Sequence, residues 1–185
     1  MSALWSRACS WCSSSATSRP ATPPPRGRSD RPVPLFLVRH AKAGSRSNWD
    51  GDDVERPLSQ NGWHQARLLG AKLARRSPSL LVSSPYLRCV QTLEPLAELC
   101  ELEVTIDKRL EEAQAFEPVL DLLAEVPDRT VLCSHGDLIP DTIAALQRRG
   151  CELLTPADWR KATVWRLERA ATGEIVSAKV TAPPA

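Results

Sequence analysis

Short apolar runs alternate along this sequence with longer segments in which apolar residues recur every three or four positions. The first run, Val33 to Val38, has the length of a buried strand rather than a helix. Similar runs begin at Leu80 and Thr130, and each is followed by a segment with helical spacing. A chain that repeats strand and helix in this way places helices on both faces of a mainly parallel sheet. The pattern predicts an α/β fold, a three-layer α/β/α sandwich.

The spacing of apolar residues also predicts where the other elements lie. Ser59 is the expected N-cap of the first helix, since its hydroxyl can accept from a free backbone N–H and an apolar face follows it at Trp63, Ala66, Leu69 and Leu73. The remaining predicted elements are a helix from Tyr86 to about Cys100, a weaker strand from Leu102 to Ile106, a helix over 117–125, a helix continuing through Leu146, and a closing hairpin of Thr163–Leu167 and Glu174–Val180.

The first 32 residues differ in composition from the rest of the chain. Residues 1–32 are rich in Ser, Pro, Arg and Ala and include three consecutive prolines from Pro23. Such a segment buries too little apolar surface to offset the entropy lost on ordering. We therefore expect a disordered tail or linker at 1–32 and one domain at 33–181. An organelle transit peptide and a secretory signal are the alternatives for the first segment.

Charge and hydropathy narrow the possible partners. The formal net charge is +2, and five arginines with only one acid, Asp30, lie in the first 34 residues. Beyond them no element carries the clustered Lys and Arg that binding to a nucleic acid polymer requires. No apolar run approaches the length of a membrane span. We expect a cytoplasmic protein that binds neither nucleic acid polymers nor membranes.

The cysteine pattern favours reduced thiols. Cys9 and Cys12 form a CxxC pair, but no second pair or nearby His completes a zinc site. The other four cysteines lie in or beside apolar stretches, without the compact spacing of a secreted disulfide framework: Cys89, Cys100, Cys133 and Cys151. No metal site and no cofactor are therefore predicted.

Histidine and arginine follow the carboxyl ends of three predicted strands. Arg39 and His40 come directly after the first strand, Arg88 comes shortly after the second, and His135 follows the strand that begins at Thr130. Because the carboxyl ends of parallel strands meet at one edge of a sheet, these side chains are expected to share a pocket. A neutral imidazole can attack phosphorus while guanidinium groups bind the phosphoryl oxygens. Neighbouring cations disfavour the imidazolium form. The pattern predicts phosphoryl transfer.

Five motifs occur in a familiar order: LVRHAKAG, DDVERPLSQNGWHQA, SSPYLRCVQT, LEE and CSHGD. Together they resemble the histidine phosphatase superfamily, also called phosphoglycerate mutase-like, over about residues 33 to 150. The chain looks most similar to the branch of small bacterial phosphohistidine phosphatases. It also resembles the phosphatase domain that follows a Nudix domain in some nucleotide-sanitising enzymes, although no Nudix box is present here.

The resemblance implies a role for each matched residue. His40 would become phosphorylated, while Arg39, Arg88 and His135 would bind the phosphoryl oxygens. The family's proton donor corresponds to Glu112, with the neighbouring Glu111 as the alternative. Ala41 replaces the Gly that most relatives carry after the nucleophile.

Other polar residues near the motifs are less strongly indicated as residues of the site. Arg56 and Lys42 flank the long loop over 41–57, and either can contact a second anionic group of a substrate or remain a solvated surface charge. His64 matches no catalytic motif and is interpreted as an ordinary helical residue.

The expected function is a metal-independent phosphatase that acts on phosphohistidine protein or on small phosphate monoesters. Its partner would be a phosphorylated protein or a small phosphate ester. The alternative is a non-catalytic phosphate-binding or regulatory domain, or the partner of a Nudix nucleotide hydrolase. The sequence does not indicate an oligomeric state.

Overall fold

A computed structural model of the protein describes residues 33–184. The expected disordered tail or linker at 1–32, and with it Cys9 and Cys12, lies outside the described residues. The division of the chain into a tail and one domain at 33–181 therefore stays a prediction.

The described chain forms seven strands and four α-helices. In chain order they are β1 (Val33–Arg39), α1 (Gln60–Ala74), β2 (Leu81–Ser83), α2 (Leu87–Cys100), β3 (Val104–Ile106), α3 (Glu117–Glu125), β4 (Val131–Ser134), α4 (Leu138–Arg148), β5 (Glu152–Leu153), β6 (Val164–Arg169) and β7 (Ile175–Thr181). Single 3-10 turns lie at Arg46–Asn48, Asp53–Glu55 and Lys108–Leu110.

The strands form one mixed sheet in the order β3-β2-β4-β1-β6-β7-β5. The part that carries the strand–helix repeats, β3-β2-β4-β1, is parallel throughout. β6 pairs antiparallel with both β1 and β7, so the predicted closing hairpin is confirmed. The predicted α/β fold is thus correct, and the sheet is mixed because β6 runs antiparallel to both of its neighbours, while β5 pairs parallel with β7 at the far edge.

Alternate residues of the central strands point to opposite faces, and each face has its own core. On one face, Phe36 and Val38 of β1 pack with Leu69 of α1 and with Leu93 and Leu96 of α2. On the other face, neighbouring strand residues pack with α3 and α4, and this core includes Leu35, Leu37, Val119, Leu123, Leu132, Ile139, Ile143 and Trp165. The chain therefore forms the three layers that the alternation predicted.

The start of α1 is held against the loop that follows β1. The Ser59 hydroxyl accepts from the backbone N–H of Gly62, as predicted, and the Ser59 backbone N–H donates to Lys42 O at 2.9 Å. A Cβ on Gly62 would lie 1.9 Å from Lys42 O, so only glycine allows this approach. The contact fixes the loop over 41–57 at the carboxyl end of β1.

Some features were not predicted from the sequence. β5 has only two residues and pairs with the edge of β7, so it leaves no periodic signal.

Within residues 33–184, no helix combines the length and the apolar character needed to cross a lipid bilayer.

Candidate active site

The parallel pairing of β1 with β4 brings the two predicted histidines together. Arg39 lies opposite Ser134 in the register of the two strands, so His40 and His135 leave the sheet side by side. Their ring centroids are 5.4 Å apart, with the ring planes tilted by 60°. The expected convergence at the carboxyl edge of the sheet is therefore what the structure has.

His40 is oriented by the backbone beside it. Its ring is 5% exposed, and Nδ1 lies 2.8 Å from the carbonyl oxygen of Ala41. A carbonyl oxygen only accepts, so Nδ1 carries the proton and donates it. Nε2 is left with its lone pair and no proton. The replacement of Gly by Ala at position 41 preserves this arrangement, because the acceptor is a main-chain atom.

Burial keeps the His40 imidazole neutral. Loss of solvation is the largest cause and lowers the pKa of His40 to about 2, against the opposing effect of the bond to Ala41. Electrostatic interactions with His135, Arg88 and Lys161 contribute to the same lowering of the pKa. Neighbouring cations were the cause predicted from the sequence, whereas burial is the larger cause in the structure.

Arg88 occupies the floor of the site. Its side chain is fully buried, and Nη1 lies 3.0 Å from Asp53 Oδ2 and donates to Asp53 O at 2.8 Å. Nη2 donates to Glu112 Oε2 at 2.8 Å, and the guanidinium lies over the Tyr86 ring, 4.4 Å from its centroid. A buried guanidinium held on three sides is pre-organised to bind oxyanions.

His135 is held by α2 and by the end of β2. Its Nε2 lies 2.8 Å from Ser84 Oγ and 3.6 Å from Cys89 Sγ. Its Nδ1 lies 3.4 Å from Arg88 Nη2. A guanidinium only donates, so Nδ1 is the acceptor and Nε2 donates to Ser84. Both nitrogens are thus placed by the protein.

The Arg39 guanidinium lies directly on Gly136. Nη1 of Arg39 donates to the carbonyl oxygen of Trp159, while Nε is buried without a hydrogen-bond partner among the described residues. A Cβ at position 136 would lie 2.3 Å from Arg39 Cζ. Glycine after His135 therefore makes room for the guanidinium.

Glu112, rather than Glu111, lines the same cleft as His40. Its Oε2 accepts from Arg88 Nη2 and from Arg46 Nη2, the latter at 2.9 Å. Arg46 lies in the loop over 41–57, so this contact joins the loop to the segment that carries Glu112. The geometry places Glu112 where the resemblance puts the proton donor, whose identity stays a prediction.

Asp53 connects several arginines, and the sequence analysis did not single it out. Its carboxylate lies 2.7 Å from Arg56 Nε, 2.9 Å from Arg46 Nη2 and 3.0 Å from Arg88 Nη1. The hydrogen bond from Arg56 is the largest cause that holds the pKa of Asp53 well below its ordinary value. The i, i+3 spacing of Asp53 and Arg56 is the signal that could have identified the pair.

Arg56 is buried beneath the loop. Its Nε donates to Asp53 and its Nη1 donates to Gly44 O at 2.7 Å, while the side chain still lines the cleft. These bonds fix the loop, and its predicted contact with substrate stays a prediction. His64 does not line the cleft, which agrees with its interpretation as an ordinary helical residue.

The cleft has a volume of about 800 Å³ and is strongly cationic. Seven cationic and two acidic side chains line it: Arg39, Lys42, Arg46, Arg56, Arg88, Arg160, Lys161, Glu112 and Asp137. Within residues 33–184, no three His, Cys, Asp or Glu side chains are grouped so that they could hold a metal ion. The site is arranged to bind an oxyanion beside a buried neutral imidazole.

Comparison with known proteins identifies a family that part of the chain matches. Residues 35–117, which include Arg39, His40, Arg88 and Glu112, match the model of the histidine phosphatase superfamily (branch 1). The motifs and the paired histidines of the chain agree with this similarity.

Individual relatives are similar to different extents. The chain is 35% identical over 158 residues to an 8-oxo-(d)GTP phosphatase of Mycolicibacterium smegmatis, which covers 81% of this chain and 48% of the relative. It thus spans about half the length of that protein. Among solved structures, the protein histidine phosphatase SixA bound to tungstate superposes with a TM-score of 0.64 at 23% identity, covering 81% of this chain and 95% of that one. A putative phosphohistidine phosphatase SixA from Nakamurella multipartitia gives 0.60 at 27% identity, covering 83% and 97%.

The contact between Gly136 and Arg39 predicts a loss of oxyanion affinity without unfolding. Gly136→Ala should displace the Arg39 guanidinium and weaken binding of inorganic phosphate by about tenfold, the value of one charge-assisted hydrogen bond. Isothermal titration calorimetry measures the affinity, and urea unfolding should show little change, since a flexible side-chain end gives way. In an Arg39→Ala background the same change should have little further effect; an undiminished loss there would refute the coupling.

The lowered pKa of His40 predicts a pH dependence of stability. Its ordinary pKa is about 6.5, so between about pH 6.5 and about pH 2 the unfolded chain binds more protons than the folded one. The stability that His40 contributes is complete above about pH 6.5 and is lost as the pH falls, by at most about 1.4 kcal/mol per pH unit. Urea unfolding of the protein and of His40→Gln at pH 7, 6 and 5 isolates this effect. Parallel pH curves for the two proteins would show that His40 takes up a proton in the folded protein over the same pH range as in the unfolded chain, and would refute the prediction.

Proposed function

We propose that this protein is a metal-independent phosphatase that forms a phosphohistidine intermediate on His40. The observation that carries the proposal is the state of His40. The bond from Nδ1 to Ala41 O directs an unprotonated Nε2 away from the backbone, and burial keeps it neutral. A neutral imidazole nitrogen beside several cations is a suitable nucleophile for phosphorus.

In the first step, the Nε2 lone pair of His40 attacks phosphorus and a P–N bond forms. The bond from phosphorus to the leaving group breaks, P–O in an ester or P–N in a phosphohistidine, and Glu112 supplies the proton that the leaving oxygen or nitrogen takes up. Arg39 and Arg88 bind the phosphoryl oxygens and stabilise the charge of the transition state. In the second step, Glu112 takes a proton from water as the water oxygen attacks phosphorus. The P–N bond breaks, and phosphate leaves with His40 and Glu112 restored.

The contacts of Glu112 orient its carboxyl group. Oε2 is held by Arg88 and Arg46, whereas Oε1 accepts no hydrogen bond from another described residue. The carboxyl group is thus oriented by one oxygen, and the other oxygen can carry the proton. The Arg46 bond depends on the loop over 41–57, so the loop takes part in positioning Glu112.

Two substrate classes have support. Similarity in fold to phosphohistidine phosphatases favours a phosphorylated protein, and an open cleft can accept a protein surface. The 35% identity with an 8-oxo-(d)GTP phosphatase favours small phosphate compounds, nucleotides among them. That identity also supports the alternative of a domain that works with a Nudix nucleotide hydrolase. A purely phosphate-binding domain has no need for the nucleophile.

The first experiment measures phosphate release by the purified protein in the presence of EDTA. The panel contains a phosphohistidine carrier protein, nucleotides, sugar phosphates and p-nitrophenyl phosphate, and His40→Ala is assayed alongside. We expect turnover that requires His40, persists in EDTA and is inhibited by vanadate, which mimics five-coordinate phosphorus. Turnover by His40→Ala would refute the mechanism. No release from any substrate would favour the non-catalytic alternative, and complete loss in EDTA would indicate a metal.

Matched glutamine variants test the proton donor. Glu112→Gln should lower kcat by about 10²- to 10⁴-fold for a phenyl or alkyl phosphate, whose leaving oxygen must be protonated. The loss should be much smaller for p-nitrophenyl phosphate, because its leaving group needs little protonation. Glu111→Gln is the control, and its kcat should stay within about threefold of the native value. A larger loss for Glu111→Gln than for Glu112→Gln would exchange their assignments.

A further inference from the structure

Most cations of the cleft form ion pairs with carboxylates of the protein itself. Arg46, Arg56 and Arg88 pair with Asp53 or Glu112, and Arg160 pairs with Asp158 at 2.6 Å. Three cations that line the cleft form no ion pair with another described residue: Arg39, Lys42 and Lys161. Arg39 lies on Gly136 beside the two histidines and serves the transferred phosphoryl group. The two lysines are left for another anion.

The segment that carries Lys161 is fastened to the residues around the nucleophile. The backbone N–H of Ala162 donates to the carbonyl oxygens of Arg39 at 3.1 Å and of His40 at 3.2 Å. The backbone N–H of Arg39 donates in return to Thr163 O at 3.1 Å. Lys161 is therefore the residue next to Ala162, whose backbone contacts His40 directly.

This attachment imposes a strained backbone. Ala162 is fully buried with a φ of 62°, in the left-handed region that a residue with a Cβ adopts only at a cost. Strain of this kind persists where surrounding contacts over-determine the conformation, and it is frequent at functional sites. Here the strained residue directly follows Lys161, whose side chain lines the cleft.

The environment of the Lys161 side chain disfavours a positive charge when no anion is bound. It is half-buried, and this burial is the largest cause that lowers the pKa of its ammonium. The charges of Arg39, Arg56, Arg88 and Lys42 lower it further. A bound anion would offset the repulsion between Lys161 and the neighbouring cations that line the cleft.

We propose that Lys161, with Lys42 beside it, binds a second phosphate that is joined through a bridging oxygen to the phosphoryl group attacked by His40. The preferred substrate class is therefore a compound that ends in a diphosphate, and Lys161 is the residue that selects for it. This inference rests on the proposed function, because it names the substrate class of the same site. The bridging oxygen is then the leaving atom, and Lys161 stabilises the phosphate that departs.

The position of Lys161 favours a diphosphate over a phosphohistidine protein. Its backbone neighbour bonds to His40, so an anion bound by Lys161 lies next to the transferred phosphoryl group rather than at a distance. A protein phosphohistidine has an imidazole as its leaving group, which supplies no anion at that place. A phosphoanhydride supplies one there in every molecule.

Binding of two phosphonates that are not hydrolysed tests the inference without catalysis. Methylenediphosphonate carries the second anionic group, and methylphosphonate lacks it. The native protein should bind the diphosphonate more tightly by calorimetry. Lys161→Met should weaken diphosphonate binding by about 10- to 100-fold, the value of a hydrogen bond between charged groups, and methylphosphonate binding by a much smaller factor. Lys161→Arg should recover most of the loss.

The control variant is Lys72→Met, which removes an exposed lysine of α1 that does not line the cleft. Its affinities for both phosphonates should match those of the native protein. If Lys161→Met weakens the binding of both phosphonates equally, Lys161 serves the transferred phosphoryl group. If it weakens the binding of neither, the Lys161 ammonium is a solvated charge with no role in binding. Either result overturns the inference, as does native binding that does not favour the diphosphonate. The phosphatase proposal is judged separately, by turnover that depends on His40.

Discussion

The parallel pairing of β1 with β4 determines where the groups of the site lie. One register places Arg39 opposite Ser134, and the residues that follow each strand, His40 and His135, then leave the sheet at the same edge. A shift by one residue would move the side chains of β1 to the opposite face and separate the two rings. The register is itself held by two hydrophobic cores, one on each face, so the packing of the sandwich and the geometry of the site depend on the same contacts.

The second constraint on the site is that its buried positive charges need carboxylate partners. Burying Arg88 alone would cost several kcal/mol, and Asp53 with Glu112 offsets that cost through hydrogen-bonded ion pairs. The same carboxylates hold Arg46 and Arg56, so the loop over 41–57 is fastened by the charges that stabilise the floor. Among the described residues that line the cleft, Arg39, Lys42 and Lys161 form no such ion pair, and their charge is the part that we propose a ligand compensates. Ion pairing alone does not mark the structural groups, since Arg88 is paired with Asp53 and Glu112 and is also proposed to bind the phosphoryl oxygens.

The strand–helix alternation, the Ser59 cap and the closing hairpin were predictable because each depends on residues close together in the chain. The convergence of Arg39, His40, Arg88 and His135 was predictable because strand ends of a parallel sheet share an edge. Asp53 and Lys161 were not predictable in this way. Lys161 reaches the cleft through backbone bonds to residues more than a hundred positions earlier, and neither it nor Asp53 belongs to a strand end.

The sequence by itself determined the class of fold, the similarity to the histidine phosphatase superfamily and the residues that carry its motifs. Periodicity and motif order are properties of the chain, and they hold before any long-range contact forms. The tertiary structure alone decided that Glu112 rather than Glu111 lines the cleft, that burial is the main cause of the neutral state of His40, and which cations remain unpaired. Desolvation and ion pairing depend on which groups the fold brings within a few ångströms of one another, and no local pattern encodes those distances.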